Sequence, residues 1–257
     1  MYKFKNSLIV IVVITITSAL LLSSCGNDDN KNSSNGRNQE MRDKGNRDNT
    51  NTGNKDDSAL DLQNIGIDVE KDVLITKDAL REYQAGHKGF YFFGDMLPGN
   101  RTNPNFEFAS VKKDAKIIAA MDGIIPFIKD QPETNDNEVY LQSNENSAWV
   151  IGYDHLINLK VKKGDKIKAG QVLGYPSPEN NGLYRFEIQI TQSQGDGQHH
   201  CPVDFLNKKV KSDIETKLKN MMTAWNQLNT EPIYDLTKQN PIGCTKTVLT
   251  ESEVPNN

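Results

Sequence analysis

The chain has 257 residues, with 30 Lys and Arg against 34 Asp and Glu, a formal net charge of −4 and 36% hydrophobic residues. This balance offers no global positive field to phosphates and argues against a nucleic-acid binder. The low apolar share, with a mean hydropathy of −0.64, places part of the chain outside any packed core, and three cysteines are too few for a disulfide-rich scaffold.

The N-terminus comes first. Lys3 and Lys5 precede an apolar run from Leu8 to Leu22, broken only by Thr15, Thr17 and Ser18, which ends in Leu22-Ser23-Ser24-Cys25. A positive start, an apolar stretch and small residues before a cysteine are the marks of an export signal with a lipidation site, and the run is short for a hydrocarbon core of about 30 Å. Residues 1–24 are therefore read as a lipoprotein signal peptide. Cys25 is read as the lipidated residue, anchoring the rest of the chain outside the cytoplasm on a bacterial membrane, in the periplasm or on the cell surface. From Gly26 to Asp57 the only large apolar side chain is Met41. Such a segment buries too little surface to offset backbone entropy, so residues 25–57 are expected to be a lipidated Cys and a disordered Asn-rich tether, with a reach of roughly 30 Å.

Residues 58–250 read as the folded part and 251–257 as a disordered end. Thr76 to Gln84 suggests a short helix, with Thr76 as its N-cap and Gly86 as its stop. From Phe106 to Thr191 the signals are β. Lys116 to Ala120 and Ile124 to Ile128 flank the turn dipeptide Asp122-Gly123, which predicts a hairpin. Glu138 to Leu141 and Ala148 to Gly152 predict a second pair. Leu183 to Ile190 alternates, with Tyr184, Phe186, Ile188 and Ile190 on one face. Lys208 to Asn229 changes period: Val210, Ile214, Leu218, Met221, Met222, Trp225 and Leu228 recur at three- and four-residue steps, as in a helix packed on one side. The expected class is mainly β, an antiparallel sheet or sandwich with a C-terminal amphipathic helix. With Cys25 assigned to lipid, Cys201 and Cys244 are expected to pair in an exported protein, for roughly 4 kcal/mol on the chain-entropy argument.

One stretch carries a resemblance. Tyr153-Asp154-His155-Leu156 is followed by Val161-Lys162-Lys163-Gly164-Asp165-Lys166-Ile167-Lys168-Ala169-Gly170-Gln171-Val172-Leu173-Gly174. Around it, in order, stand Gly94-Asp95, Ala119-Ala120-Met121-Asp122-Gly123 and Phe186-Glu187-Ile188. Together these resemble the core of the LytM/lysostaphin-type (M23-like) zinc peptidases, whose fold is a duplicated hybrid motif. The hairpin alone also occurs in biotinyl- and lipoyl-carrier domains, but an exported lipoprotein is the wrong place for those cofactors.

The resemblance implies a zinc held by a His, an Asp four residues later and the second His of a His-x-His, with two further His residues assisting cleavage of peptidoglycan. Such a site needs three protein ligands and an open position for water. Asp95 matches the Asp ligand and His155 a catalytic His, but Tyr91 and Arg185 stand where ligand His residues belong, and Leu183-Tyr184-Arg185 replaces His-x-His. The implied reading is a pseudo-enzyme that needs no cofactor, with Asp95 and His155 vestigial and Arg185 neutralising Asp95 or taking a ligand carboxylate. Its groove, formed by Tyr91, Asp95, His155, Tyr184 and Arg185, would bind peptidoglycan or regulate a cell-wall hydrolase. Two alternatives stay open: an active zinc endopeptidase with a non-standard ligand set, in which His87 and one of His199 and His200 converge on Asp95, and a structural surface lipoprotein.

Overall fold

The computed structural model describes residues 60–77, 88–97, 100–179, 182–192 and 197–254. The signal segment, Cys25, the tether, His87 and most of the helix expected over Thr76–Gln84 lie outside the described residues.

A four-residue helix, α1 (Val69–Asp72), opens the described fold, its first turn capped by the Asp68 carboxylate accepting from the Lys71 N–H. The strands follow in order: β1 (Phe90–Tyr91), β2 (Met96–Leu97), β3 (Arg101–Thr102), β4 (Phe106–Val111), β5 (Ile117–Ile118), β6 (Gly123–Gln131) and β7 (Asp136–Gln142). Then come β8 (Trp149–Ile157), β9 (Lys166–Ile167), β10 (Val172–Pro178), β11 (Tyr184–Gln192) and β12 (Gln198–His200). A long helix, α2 (Lys208–Leu228), and β13 (Val248–Leu249) complete the set. All ladders between these strands are antiparallel. β11 pairs with β4 on one side and β8 on the other, and β8 continues through β7 to β6 and β9. β10 enters between β8 and β11 at one end, through Pro176↔Leu156 and Ser177↔Arg185.

The alternation read in Leu183 to Ile190 is real: Phe186, Ile188 and Ile190 are fully buried, and Tyr184 packs partly against the same core. The other face of β11 is therefore left for Arg185, Glu187 and Gln189. The expected hairpin around Asp122-Gly123 is a correction. β5 pairs with β10 and β6 pairs with β7 and β9, so the dipeptide links two parts of the sheet that are not partners. Local turn chemistry was satisfied while longer-range pairing chose the partners. At Gly164 and Gly170 the chain takes φ of 89° and 80°, and the short β9 between them reaches back to β6.

Helix α2 buries Ile214, Leu218, Met221, Met222 and Trp225, the stripe read from the sequence, each fully buried side chain stabilising the fold by roughly 2–3 kcal/mol. Trp225 lies so close to Gly89 that any Cβ there would overlap its indole. Tyr234, just beyond the helix, donates its hydroxyl to the Phe90 carbonyl at 2.8 Å and accepts from the Phe90 N–H at 3.0 Å. The C-terminal helix and its return thus hold β1, which carries Tyr91 and leads to Asp95. Cys201 and Cys244 are joined, with Cα atoms 6.1 Å apart. The end expected to be loose from residue 251 is ordered as far as Val254: Glu253 accepts from the Thr250 N–H at 3.0 Å and from Lys246 Nζ at 2.7 Å.

Candidate functional site

The site grows from one register. On β11, Glu187 lies opposite Glu107 of β4 and opposite Asp154 of β8. Carboxylates thus stand in a row across three neighbouring strands. Like charges directly opposed in a sheet repel, so the row needs protons or cations, and it has both. Burial, and then the charge of Glu187, push Glu107 up to about 8, so it is protonated at neutral pH. Burial also raises Asp154, to about 6.

The cation is His155. Its φ of 62° is left-handed, an uncommon conformation for a residue with a side chain. Its N–H donates to Asp154 Oδ1 at 2.6 Å. Its ring lies between carboxylates, Nδ1 2.8 Å from Asp136 Oδ2 and Nε2 3.2 Å from Glu187 Oε1. Burial disfavours the charged ring, but the hydrogen bond and charge of Glu187, with Asp154 beside them, outweigh it and raise His155 to about 9. At neutral pH both ring nitrogens donate. Glu187 in turn feels burial upward, but His155 and then Arg185 hold it below the usual range, and Asn105 Nδ2 donates to its second oxygen. Asp136 accepts from Thr134 Oγ1 at 2.6 Å as well as from His155.

A groove of about 960 Å³ opens over this row, lined among others by Tyr91, Asn105, Glu107, His155, Arg185 and Glu187. Three of the five groove residues read from the sequence, Tyr91, His155 and Arg185, come together here. Tyr184 and Asp95 do not line it. Tyr184 sits on the core-facing side of β11, the consequence of the strand's alternation.

Asp95 has a different partner from the one expected. Both its oxygens accept from Lys88 Nζ, at 2.7 and 2.6 Å, and Oδ1 also accepts from the Met96 N–H at 2.9 Å. The Lys88 ammonium further lies 5.0 Å from the Phe92 ring centroid and 5.6 Å from that of Tyr234, within cation–π range. Burial still leaves Asp95 above its ordinary range despite Lys88. Arg185 pairs instead with Glu179 Oε1 at 2.7 Å, so the carboxylate it was expected to take from Asp95 or a ligand is supplied within the chain.

The residues that the resemblance places at metal positions do not fit zinc. Tyr91 brings a hydroxyl that accepts from the Lys88 N–H at 3.1 Å, Asp95 is engaged by an ammonium, and Arg185 is a cation. A second set does bring ligand-type atoms together: Asp136, Asp154 and His155, within 4.8 Å of one another. One imidazole and two carboxylates match zinc in number and kind, although here His155 is held as a proton-bearing bridge between acids. The other rescue candidates are dispersed. Cys201 is in the disulfide. His199 and His200 lie on β12 and alternate: His200 packs on Trp149 and Phe205 at ring distances of 4.9 and 5.7 Å. His199 accepts from Gln189 Nε2 at 2.5 Å and lies 3.5 Å from Glu251.

Residues 106–196 match the family model described as peptidase family M23. The chain carries a LytM-like domain. No curated protein matches the chain. Among solved structures, the solution structure of lysostaphin is 18% identical over 49% of this chain, with a TM-score of 0.39, and the match spans 58% of that protein. A zinc-containing peptidase from Vibrio cholerae is 18% identical, over 52% of this chain and 38% of its own, with a TM-score of 0.36. A chain of the SpoIIQ–SpoIIIAH pore-forming complex is 17% identical, over 61% and 97%, with a TM-score of 0.40.

Sequence reasoning missed Lys88, Glu107 and Asp136 as parts of the site, and took in Asp154 and Glu187 only as members of the quoted motifs. Lys88 and Asp95 are seven residues apart, on either side of β1, with no periodic signal. Glu107 and Asp136 become neighbours of Glu187 and His155 only through strand pairing. Glu107 alone had a usable signal, a carboxylate set between Phe106 and Phe108 in an apolar strand.

Proposed function

We propose that this is a membrane-anchored extracytoplasmic lipoprotein, lipidated at Cys25, whose LytM-like domain binds cell-wall peptidoglycan or a cell-wall hydrolase without cleaving peptide bonds. The observation that carries the reading is the Lys88–Asp95 pair. The only carboxylate retained at the family's ligand positions holds an ammonium with both oxygens, and a cation from the protein cannot leave an open position for water. The groove itself remains, deep enough at about 960 Å³ for several peptide residues, and its floor is braced by buried hydrogen bonds that hold it in one shape.

Two measurements on the purified full chain test this. Metal analysis is expected to find less than 0.1 equivalent of zinc, a threshold on the order of a tenfold deficit, and purified peptidoglycan sacculi are expected to retain the protein while releasing no peptide fragments. Stoichiometric zinc with fragment release would overturn the proposal.

A second reading rests on Asp136, Asp154 and His155: a peptidase with a displaced metal on one imidazole and two carboxylates. It requires His155 to give up its bridging protons, so zinc uptake under it would fall steeply below about pH 9, the value to which His155 is raised. Loss of bound zinc in His155→Ala, with retention in Asp95→Ala, would select this second reading.

A further inference from the structure

Beside the main groove, and continuous with it, lies a second hollow of about 460 Å³ on the outer face of β6, β7, β8 and β11. Its floor is a missing side chain. Gly152 of β8 stands between Tyr140 of β7 and Gln189 of β11 in the register, and a Cβ there would come within 3.2 Å of Glu138 Oε1 and 3.9 Å of the Tyr140 ring. One wall is aromatic. Phe127 is 50% exposed, among the large apolar side chains most open to solvent, and its ring lies 5.7 Å from that of Tyr140. An exposed aromatic pair over a gap in a sheet is not explained by the core, from which Phe127 points away.

The remaining walls are acidic. Glu138 is buried, receives a hydrogen bond from the Tyr140 hydroxyl and lies 3.5 Å from Lys129 Nζ. Glu251, with a half-exposed side chain, faces His199 Nε2 at 3.5 Å. Burial holds the His199 ring below its ordinary range, so it is neutral there: Nδ1 accepts from Gln189 and Nε2–H points to Glu251. Among the described residues, Glu251 has no Lys or Arg within ion-pair distance. It is a carboxylate with its charge uncompensated, fixed by a neutral donor at the rim of an aromatic hollow.

We propose that this hollow is a subsite for a basic side chain of a bound peptide, an alkylammonium whose hydrocarbon stem lies along Phe127 and Tyr140 and whose charge meets Glu251. The chemistry is complementary at each point. The stem covers exposed ring surface, the aromatic faces attract the cation, and the carboxylate completes a charge pair at a half-exposed position. An acidic ligand group would meet two carboxylates, and a purely apolar one would leave the charge of Glu251 uncompensated. The assignment deepens the binding reading above and rests on it for the occupancy of the neighbouring groove by peptide.

The test titrates the nitrogen-15-labelled full chain with acetyl-Ala-Lys-Ala-amide, its norleucine counterpart and its glutamate counterpart, following amide signals. The lysine peptide is expected to shift Phe127, Gly152 and Thr191 and to bind about tenfold more tightly than the norleucine peptide. Phe127→Ala and Glu251→Gln, both at solvent-open positions, are each expected to weaken it by about fivefold. Gly152→Ala, which raises the floor, should abolish it. Equal binding of the three peptides, or shifts confined to Asn105 and Arg185, would overturn the proposal. Retention on sacculi is read separately: retention without a lysine preference removes the subsite alone, and a lysine preference without retention removes the peptidoglycan reading and leaves the subsite.

Discussion

Lys88 grips Asp95 with one ammonium against both carboxylate oxygens, at 2.7 and 2.6 Å. The side chains are 18% and 8% exposed, so the pair is shielded from solvent and removal of one partner leaves a buried charge. Lys88→Met should therefore destabilise the fold by about 3 kcal/mol, within the range for breaking a buried pair. Asp95→Asn added to Lys88→Met should restore most of that loss, because the orphaned charge is then gone. Urea unfolding of the two variants decides it, and a cost under about 0.5 kcal/mol for Lys88→Met would place the pair among weak surface contacts.

The row of acids on β4, β11 and β8 makes stability fall on the alkaline side. His155 is raised from 6.5 to about 9, so the folded state binds its proton more tightly than the unfolded chain does. That stabilisation is complete below about pH 6.5 and is lost as the pH rises through about 9. Glu107, raised from 4.5 to about 8, has the same sign, with its contribution complete below 4.5 and lost through 8. Unfolding free energy is expected to drop by about 5 kcal/mol between pH 6.5 and 9.5, about 3 from His155 and about 2 from Glu107. In His155→Gln the slope should shrink to the part owed to Glu107. A flat profile in the wild-type chain would contradict the bridged imidazolium.

Much of this fold is legible in the sequence where its cause is local. The alternation of β11 and the three- and four-residue steps of α2 follow from which face is buried, and the structure buries those faces. The turn at Asp122-Gly123 shows the limit: its dipeptide is compatible with a hairpin, yet β5 and β6 find other partners because pairing is settled across the whole sheet. The site divides in the same way. Tyr91, His155 and Arg185 could be placed by motif, and they line one groove. The identity of Asp95's partner could not: Arg185, far away in sequence, is set beside Asp95 by the resemblance alone, whereas the path of the chain from Lys88 through β1 to Asp95 brings Lys88 close. The acid row is the product of strand register, and along the chain only Glu107, set between Phe106 and Phe108, leaves a mark of it.

Glu107 and Glu187 face each other across β4 and β11 but should respond oppositely to neutralisation. Glu107→Gln replaces a protonated carboxyl by a neutral group of similar shape, so it should change stability by less than about 0.5 kcal/mol below pH 4.5, where the folded and unfolded wild-type chains both hold the proton. As the pH rises from 4.5 towards 8 the variant should become progressively the more stable protein, because its unfolded chain gains nothing by releasing a proton and its folded chain develops no second negative charge beside Glu187. Glu187→Gln removes the acceptor of His155 and the charge that holds its proton, and should cost about 2–4 kcal/mol. The His155 ring, followed by proton NMR, should then titrate below its wild-type value of about 9. An unmoved His155 titration would show that the charge comes from Asp136 and Asp154 alone.

The Cys201–Cys244 link reaches the site through the backbone. Next to Cys244, the Thr245 N–H donates to the Phe93 carbonyl at 3.0 Å, and the Phe93 N–H donates to the Gly243 carbonyl at 3.0 Å. These bonds pin the turn between Phe93 and Asp95, while the bridge, closing 43 residues of sequence, pins Cys244 to the buried end of β12. Replacing both cysteines by Ala should cost about 4 kcal/mol on the chain-entropy argument. It should also raise amide exchange at Phe93 and Thr245 more than at Ile188 in the centre of β11, since the former pair loses its anchor and the latter keeps every ladder partner. The Asp95 turn would then lose its fixed approach to Lys88, so Lys88→Met should cost less in the cysteine-free protein than in the bridged one. Strictly additive effects of the two changes would mean that the disulfide stabilises the edge of the sheet without ordering the Lys88–Asp95 pair.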